Sequence, residues 1–230
     1  MLRFSLGPIP VSIHFSFLFI LYIAYSITGD VVEAAIAGIG LLAGVLLHES
    51  GHALTARRFG ASDVRITLFA LGGVTTYPPP PGLTAGRRFL IAAAGSALAI
   101  TFGLPVYLAI RADMITGETA ELIAVGFVVA ALVWGVLNWV PIRPLDGGQM
   151  LTSALQIFWP HRGATVAKVI SVLFTGGAVF WLYNSGQEFF AIYVGLIGFM
   201  GLRDDPGTVT DRQPPQAPVE SNEPPPRFPL

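Results

Sequence analysis

Apolar residues fill most of this chain in long runs, separated by short polar breaks or breaks marked by glycine and proline. A membrane-crossing helix needs about 20 mainly apolar residues. By that measure the runs give six candidate spans: Pro10 to Thr28, Val32 to Ala56, Arg88 to Ala112, Leu122 to Val140, Thr165 to Tyr183 and Glu188 to Leu202. The last is short for a full crossing. Between the second and third spans the period changes. From Ser62 to Tyr77, Val64, Ile66 and Leu68 alternate with Arg65, Thr67 and Phe69, and Gly72-Gly73 supplies a turn, so the stretch predicts a small β-hairpin. Pro78 to Pro81 end it. The tail, residues 203–230, is rich in Pro, Glu and Asp and too poor in apolar residues to build a core, which predicts a disordered cytoplasmic tail. Residues 1–202 form the expected membrane-embedded domain.

Composition agrees with the pattern. The 230 residues are 53% hydrophobic and 12% charged, with a mean hydropathy of +0.66, whereas soluble domains carry roughly 25% charged residues. A formal net charge of −1 gives no field that would recruit nucleic acid. With no cysteine, disulfides, thiolate metal sites and a cysteine nucleophile are all excluded. The first apolar run follows Arg3 without a small-x-small cleavage site and reads as a retained span.

Charge sets orientation, because cytoplasmic flanks are enriched in Lys and Arg. With the N-terminus inside, 12 of the 13 Lys and Arg residues fall on the cytoplasmic side and only Arg111 falls outside. The outer loops instead carry Asp30, Glu33, Asp113, Glu118, Glu121 and Glu188. The expected fold is an all-α polytopic membrane protein with about six transmembrane helices, the hairpin between the second and third, and both termini cytoplasmic.

Within the second span, His48-Glu49-Ser50-Gly51-His52 places two histidines four residues apart, hence on one helical face, where they can ligate a single ion. Glu49 is then placed as a general base for water activated by that ion. Ionisable groups inside a span are costly and functional by default. His48 precedes Arg57 by nine residues, about 14 Å at helical rise, so the site lies inside the membrane but nearer the cytoplasm. A catalytic zinc site takes three protein ligands and a water, and the third must come from the same side: Asp63, Asp146, His161 or a tail acid. Asp146 is best placed, in Asn138-Trp-Val-Pro-Ile-Arg-Pro-Leu-Asp-Gly-Gly148, where Pro141 and Pro144 break the helix and two glycines permit a tight turn. Its other possible role is as the N-cap of a helix starting near Gly147.

These two segments, H-E-x-x-H in one span and Asn-x-x-Pro-x-x-x-Leu-Asp-Gly after a later one, resemble the site-2 protease family of intramembrane zinc metalloproteases. The entry Gly7-Pro-Ile-Pro-Val-Ser-Ile-His14-Phe-Ser-Phe is also similar, and the resemblance covers most of residues 1–202. It implies one Zn2+ held by His48, His52 and Asp146, Glu49 as general base, and Asn138 lining the site to steady the substrate backbone. It further implies regulated intramembrane proteolysis in a bacterial or archaeal cell membrane. The substrate would be a transmembrane protein, such as a single-pass regulator of the anti-sigma-factor kind. The chain departs from the family in having no room for a PDZ insertion and no CBS module, in Arg143 where a smaller residue is common, and in Ser96 where proline is common.

Two rivals share the ligands. A non-catalytic zinc-binding membrane adaptor has no need of Glu49, and a metal transporter calls for related halves, whereas nothing in the second half repeats H-E-x-x-H. His14 and His161 read as interfacial residues. Gly40 and Gly44 read as a packing face for a neighbouring span. The hairpin is either structural or an edge on which an extended substrate adds as a strand.

Overall fold

A computed structural model describes residues 1–70 and 72–203, and the expected tail beyond Arg203 lies outside the described residues. Strands β1 (Leu2–Leu6) and β2 (Ile9–Ile13) lead through a short 3-10 turn into α1 (Phe19–Thr28) and α2 (Val31–Arg58). Strands β3 (Arg65–Phe69) and β4 (Gly72–Thr76) precede α3 (Ala85–Arg111). Next, α4 (Glu118–Val128) runs through a π-helical turn (Val129–Val133) into α5 (Trp134–Leu137), followed by α6 (Asp146–Phe158), α7 (Gly163–Asn184) and α8 (Glu188–Arg203).

Among the described residues four helical segments are long and apolar enough to cross a membrane: α2, α3, the continuous stretch Glu118–Leu137, and α7. Two shorter apolar helices, Phe15–Ser26 and Glu188–Leu202, flank them. The molecule is therefore an integral membrane protein, mostly helical, with one small sheet.

The expected hairpin is present as β3 and β4, but it is half of a four-stranded sheet of order β1-β2-β3-β4. The segment from Pro10, read as the start of the first span, is instead β2, paired in parallel with β3 (Val11 opposite Ile66, Ile13 opposite Leu68). The reason is burial: Ile9, Val11, Val64, Ile66 and Leu68 form one apolar face that closes over Ala53 and Ala56 near the C-terminal end of α2. Helical structure begins only at Phe15, where His14 caps the first turn and donates its backbone N–H to the Leu68 carbonyl at 2.8 Å.

α2 frames the bundle. Asp30 Oδ1 accepts from the N–H groups of Val32 and Glu33 at 2.7 and 3.0 Å, and Arg57 and Arg58 stand in the last turn, so both ends suit the helix dipole. Its middle crosses α4 at backbone contact: a side chain at Gly40 would run into the Ile123 carbonyl, and one at Gly126 into the Ala37 carbonyl. Ala130 and Ala131 of the π-helical turn meet Gly44 of α2 and Gly103 of α3 in the same way. Lipid offers helices no hydrophobic incentive to associate, so small residues that let backbones approach are what join these spans.

Candidate metal centre

Four ionisable or amide side chains converge where α2, α3 and the loop after α5 meet. His48 and His52 sit on successive turns of α2, and Asp146 is the first residue of α6. Asp146 Oδ2 lies 3.0 Å from His48 Nε2 and 3.1 Å from His52 Nε2, and the two Nε2 atoms are 3.1 Å apart. All three residues are candidates for holding a metal. Asn138 Nδ2 is 3.3 Å from His48 Nε2. Exposure of His48, Glu49, His52 and Asn138 is 2%, 4%, 7% and 7%, so water does not solvate this concentration of polar groups and they must satisfy one another.

The geometry fits a shared ion. The His52 Nδ1–H donates to the Ile91 carbonyl at 2.7 Å. A carbonyl only accepts, so Nδ1 carries a proton and Nε2 is the free ligand atom. A proton can bridge one of the three pairs at a time, and a doubly protonated His52 would form an ion pair with Asp146 alone. Three mutual separations of 3.0–3.1 Å are close to the spacing of three ligand atoms around one ion. Ligands about 2.0 Å from a tetrahedral ion lie about 3.3 Å from each other.

The fold delivers Asp146 through the glycines behind it. Gly147 N–H donates to the Asn138 carbonyl at 2.6 Å, closing the loop on itself. A side chain at Gly147 would enter the Trp139 and Val140 carbonyls, and one at Gly148 would press on Arg143. Ser171 of α7 pins the loop from outside, accepting from the Arg143 N–H at 2.6 Å and donating to the Pro141 carbonyl at 3.0 Å. The alternative role for Asp146 is not what forms: Leu145 occupies the cap position, and the Asp146 carboxylate turns to the histidines.

Glu49 is buried beside this cluster. Its Oε2 accepts from the Thr75 hydroxyl at 2.7 Å, and a side chain at Gly73 would overlap its carboxylate arm. Of the other same-side ligand candidates, Asp63 and His161 are exposed and stand outside the cluster. The residues that sequence reasoning missed are those that meet the site across elements: Thr75 and Gly73 of β4, the Ile91 carbonyl, Gly95, on which the His52 ring packs, and Ser171. The period-2 pattern puts Gly73 and Thr75 on one strand face, but nothing in it says that Glu49 lies opposite.

The chain is 37% identical over 145 residues to the protein named zinc metalloprotease Rip3 of Mycobacterium tuberculosis, a match covering 60% of this chain and 35% of that one. It is 28% identical over 154 residues to zinc metalloprotease MJ0392 of Methanocaldococcus jannaschii, covering 66% and 44%. The chain thus spans less than half the length of these relatives. No family model matches. A solved site-2 protease from Methanocaldococcus jannaschii superposes with a TM-score of 0.64 at 20% identity, over 89% of this chain and 96% of that one. The chain is thus similar in sequence to proteins that bear zinc metalloprotease names, and it shares the fold of a site-2 protease along almost its whole length.

Proposed function

We propose that this protein is an intramembrane zinc metalloprotease that hydrolyses a peptide bond in or near the transmembrane segment of a membrane protein. The observation that carries the proposal is the convergence of His48, His52 and Asp146 at 3.0–3.1 Å with Glu49 beside them, buried on a helix built to cross a membrane. His48 Nε2, His52 Nε2 and Asp146 Oδ2 would hold the zinc. Zinc held there supplies Lewis-acid polarisation of the scissile carbonyl and brings the pKa of water near 7. Glu49 takes the proton of the attacking water and returns it to the leaving amine. Its Oε2 is engaged by Thr75, which leaves Oε1 as the proton acceptor. The Asn138 Nδ2–H2 group donates to the substrate backbone. Ile91 holds the His52 tautomer through its carbonyl.

A helical substrate hides its carbonyls in i to i−4 hydrogen bonds, so it must be extended before attack. β4 is the terminal strand of the sheet and touches Glu49 through Thr75, which makes its free edge the place where an extended segment adds. On this reading the two shorter apolar helices complete six crossing segments, and the distribution of Lys and Arg, with Arg57 and Arg58 at the end of α2, supports cytoplasmic termini and a site nearer the cytoplasm. On this reading the substrate is a single-pass regulator, an anti-sigma factor being one kind, cut within a prokaryotic cell membrane.

The test is co-expression of a single-pass candidate substrate with the wild type and with Glu49→Gln. The expected outcome is at least a 100-fold loss of cleavage in the variant, since a general base contributes roughly 10²–10⁴, with zinc retained. Equal processing by both chains overturns the proposal and favours an adaptor.

A further inference from the structure

We propose that Thr75 is a positioning residue for Glu49, aiming its carboxylate from the sheet rather than from the helix that bears it. The inference rests on the protease reading above. A glutamate has three side-chain torsions, and burial alone leaves several rotamers open. Two contacts remove that freedom. The Thr75 hydroxyl donates to Glu49 Oε2 at 2.7 Å and also lies 3.1 Å from the Glu49 carbonyl oxygen, so it grips both ends of the residue. Among the described residues no other side chain donates to this carboxylate. Gly73 leaves the space that the carboxylate arm fills: a Cβ there would stand 2.6 Å from Oε1 and 2.7 Å from Cδ.

Gly73 and Thr75 alternate on one strand and therefore face the same way. That strand is fixed by contacts that do not involve Glu49. It pairs with β3, Thr75 opposite Ile66 and Val74 opposite Thr67, where Ile66 is core. At its start, a Cβ on Gly72 would stand 3.3 Å from the indole of Trp134 in α5. β4 thus bridges α2 and the segment leading to Asn138, and its register sets where the Glu49 carboxylate points. A site held within about 0.5 Å by a rigid second layer is what general-base catalysis requires. It also ties the edge proposed to receive the substrate to the base that acts on it.

The test compares wild type, Thr75→Val, Thr75→Ser and Glu49→Gln as purified, zinc-loaded proteins reconstituted with one single-pass substrate, reading kcat, KM and zinc per chain. Thr75→Val is expected to lower kcat about 10- to 100-fold with KM and zinc unchanged, and Thr75→Ser, which keeps the hydroxyl, to restore kcat to within about 3-fold. Wild-type kcat in Thr75→Val overturns the inference. So does a serine variant as impaired as the valine one, which would make the role one of packing. A second readout does not depend on cleavage. In a double-mutant cycle of melting temperature, Thr75→Val is expected to cost about 2–4 °C when Glu49 is present and nothing measurable in a Glu49→Leu background. Equal costs in both backgrounds overturn the inference. Wild-type cleavage that Glu49→Gln leaves intact would instead remove the protease reading, and the cycle would still decide whether Thr75 and Glu49 are coupled.

Discussion

At His52, the two ring nitrogens are committed to different tasks, Nδ1 to the Ile91 carbonyl and Nε2 to the shared centre. The ring is held in that attitude by an absence, because Gly95 offers no side chain where the imidazole lies. Gly95→Ala adds a methyl against Nε2 in a helix that alanine otherwise favours. The expected outcome is a folded protein whose zinc affinity falls by roughly 10-fold or more, as when partners that orient a ligand are lost, read by metal analysis of the purified variant. Undiminished zinc would show that the ring does not need this clearance. His48, Glu49 and His52 were legible from spacing, Asp146 as the best placed of several same-side candidates in the proline- and glycine-broken loop, and Asn138 only through the resemblance to the site-2 protease family. Ile91, Gly95 and Thr75 were not, for a physical reason: a backbone carbonyl, a missing side chain and one hydroxyl acquire a role only from the element packed against them.

Elements divide along the same line. Four of the six expected spans, α2, α3, Glu118–Leu137 and α7, were legible because each is a local apolar run. The crossing of α2 and α4 was half legible, since Gly40 and Gly44 announce a close approach without naming the partner. Gly40→Val must push the Ile123 carbonyl aside, and overpacking of this kind costs about 1–3 kcal/mol. The expected result is a lower melting temperature in detergent together with reduced zinc, because α2 carries both histidines. A variant as stable as the wild type would contradict the crossing. The sheet was legible only as its β3–β4 half. β2 pairs with a strand more than fifty residues away, and its apolar residues merge with those of α1, so four of its five residues, from Pro10 on, read as the start of a span. α6 was legible only as a helix starting near Gly147, because its 13 residues are too few for a crossing.

At the scale of the whole molecule, the proposed orientation has the sheet and the end of α2 on the cytoplasmic side and the turn after α3 on the other. The chain has no cysteine, so single substitutions report topology without background. In intact cells Thr116→Cys is expected to react with a membrane-impermeant maleimide and Ser62→Cys only after lysis. The reverse pattern would invert the orientation. The proposed activity is narrower: peptide hydrolysis inside the bilayer, with Glu49 as general base beside the residues that would hold zinc. Its most direct test is mass spectrometry of a single-pass protein incubated in liposomes with purified, zinc-loaded wild type or Glu49→Gln. The account predicts new termini within the substrate's transmembrane segment for the wild type, and none for the variant at the same zinc content. Cleavage by both proteins, or wild-type termini found only outside the membrane segment, would contradict it.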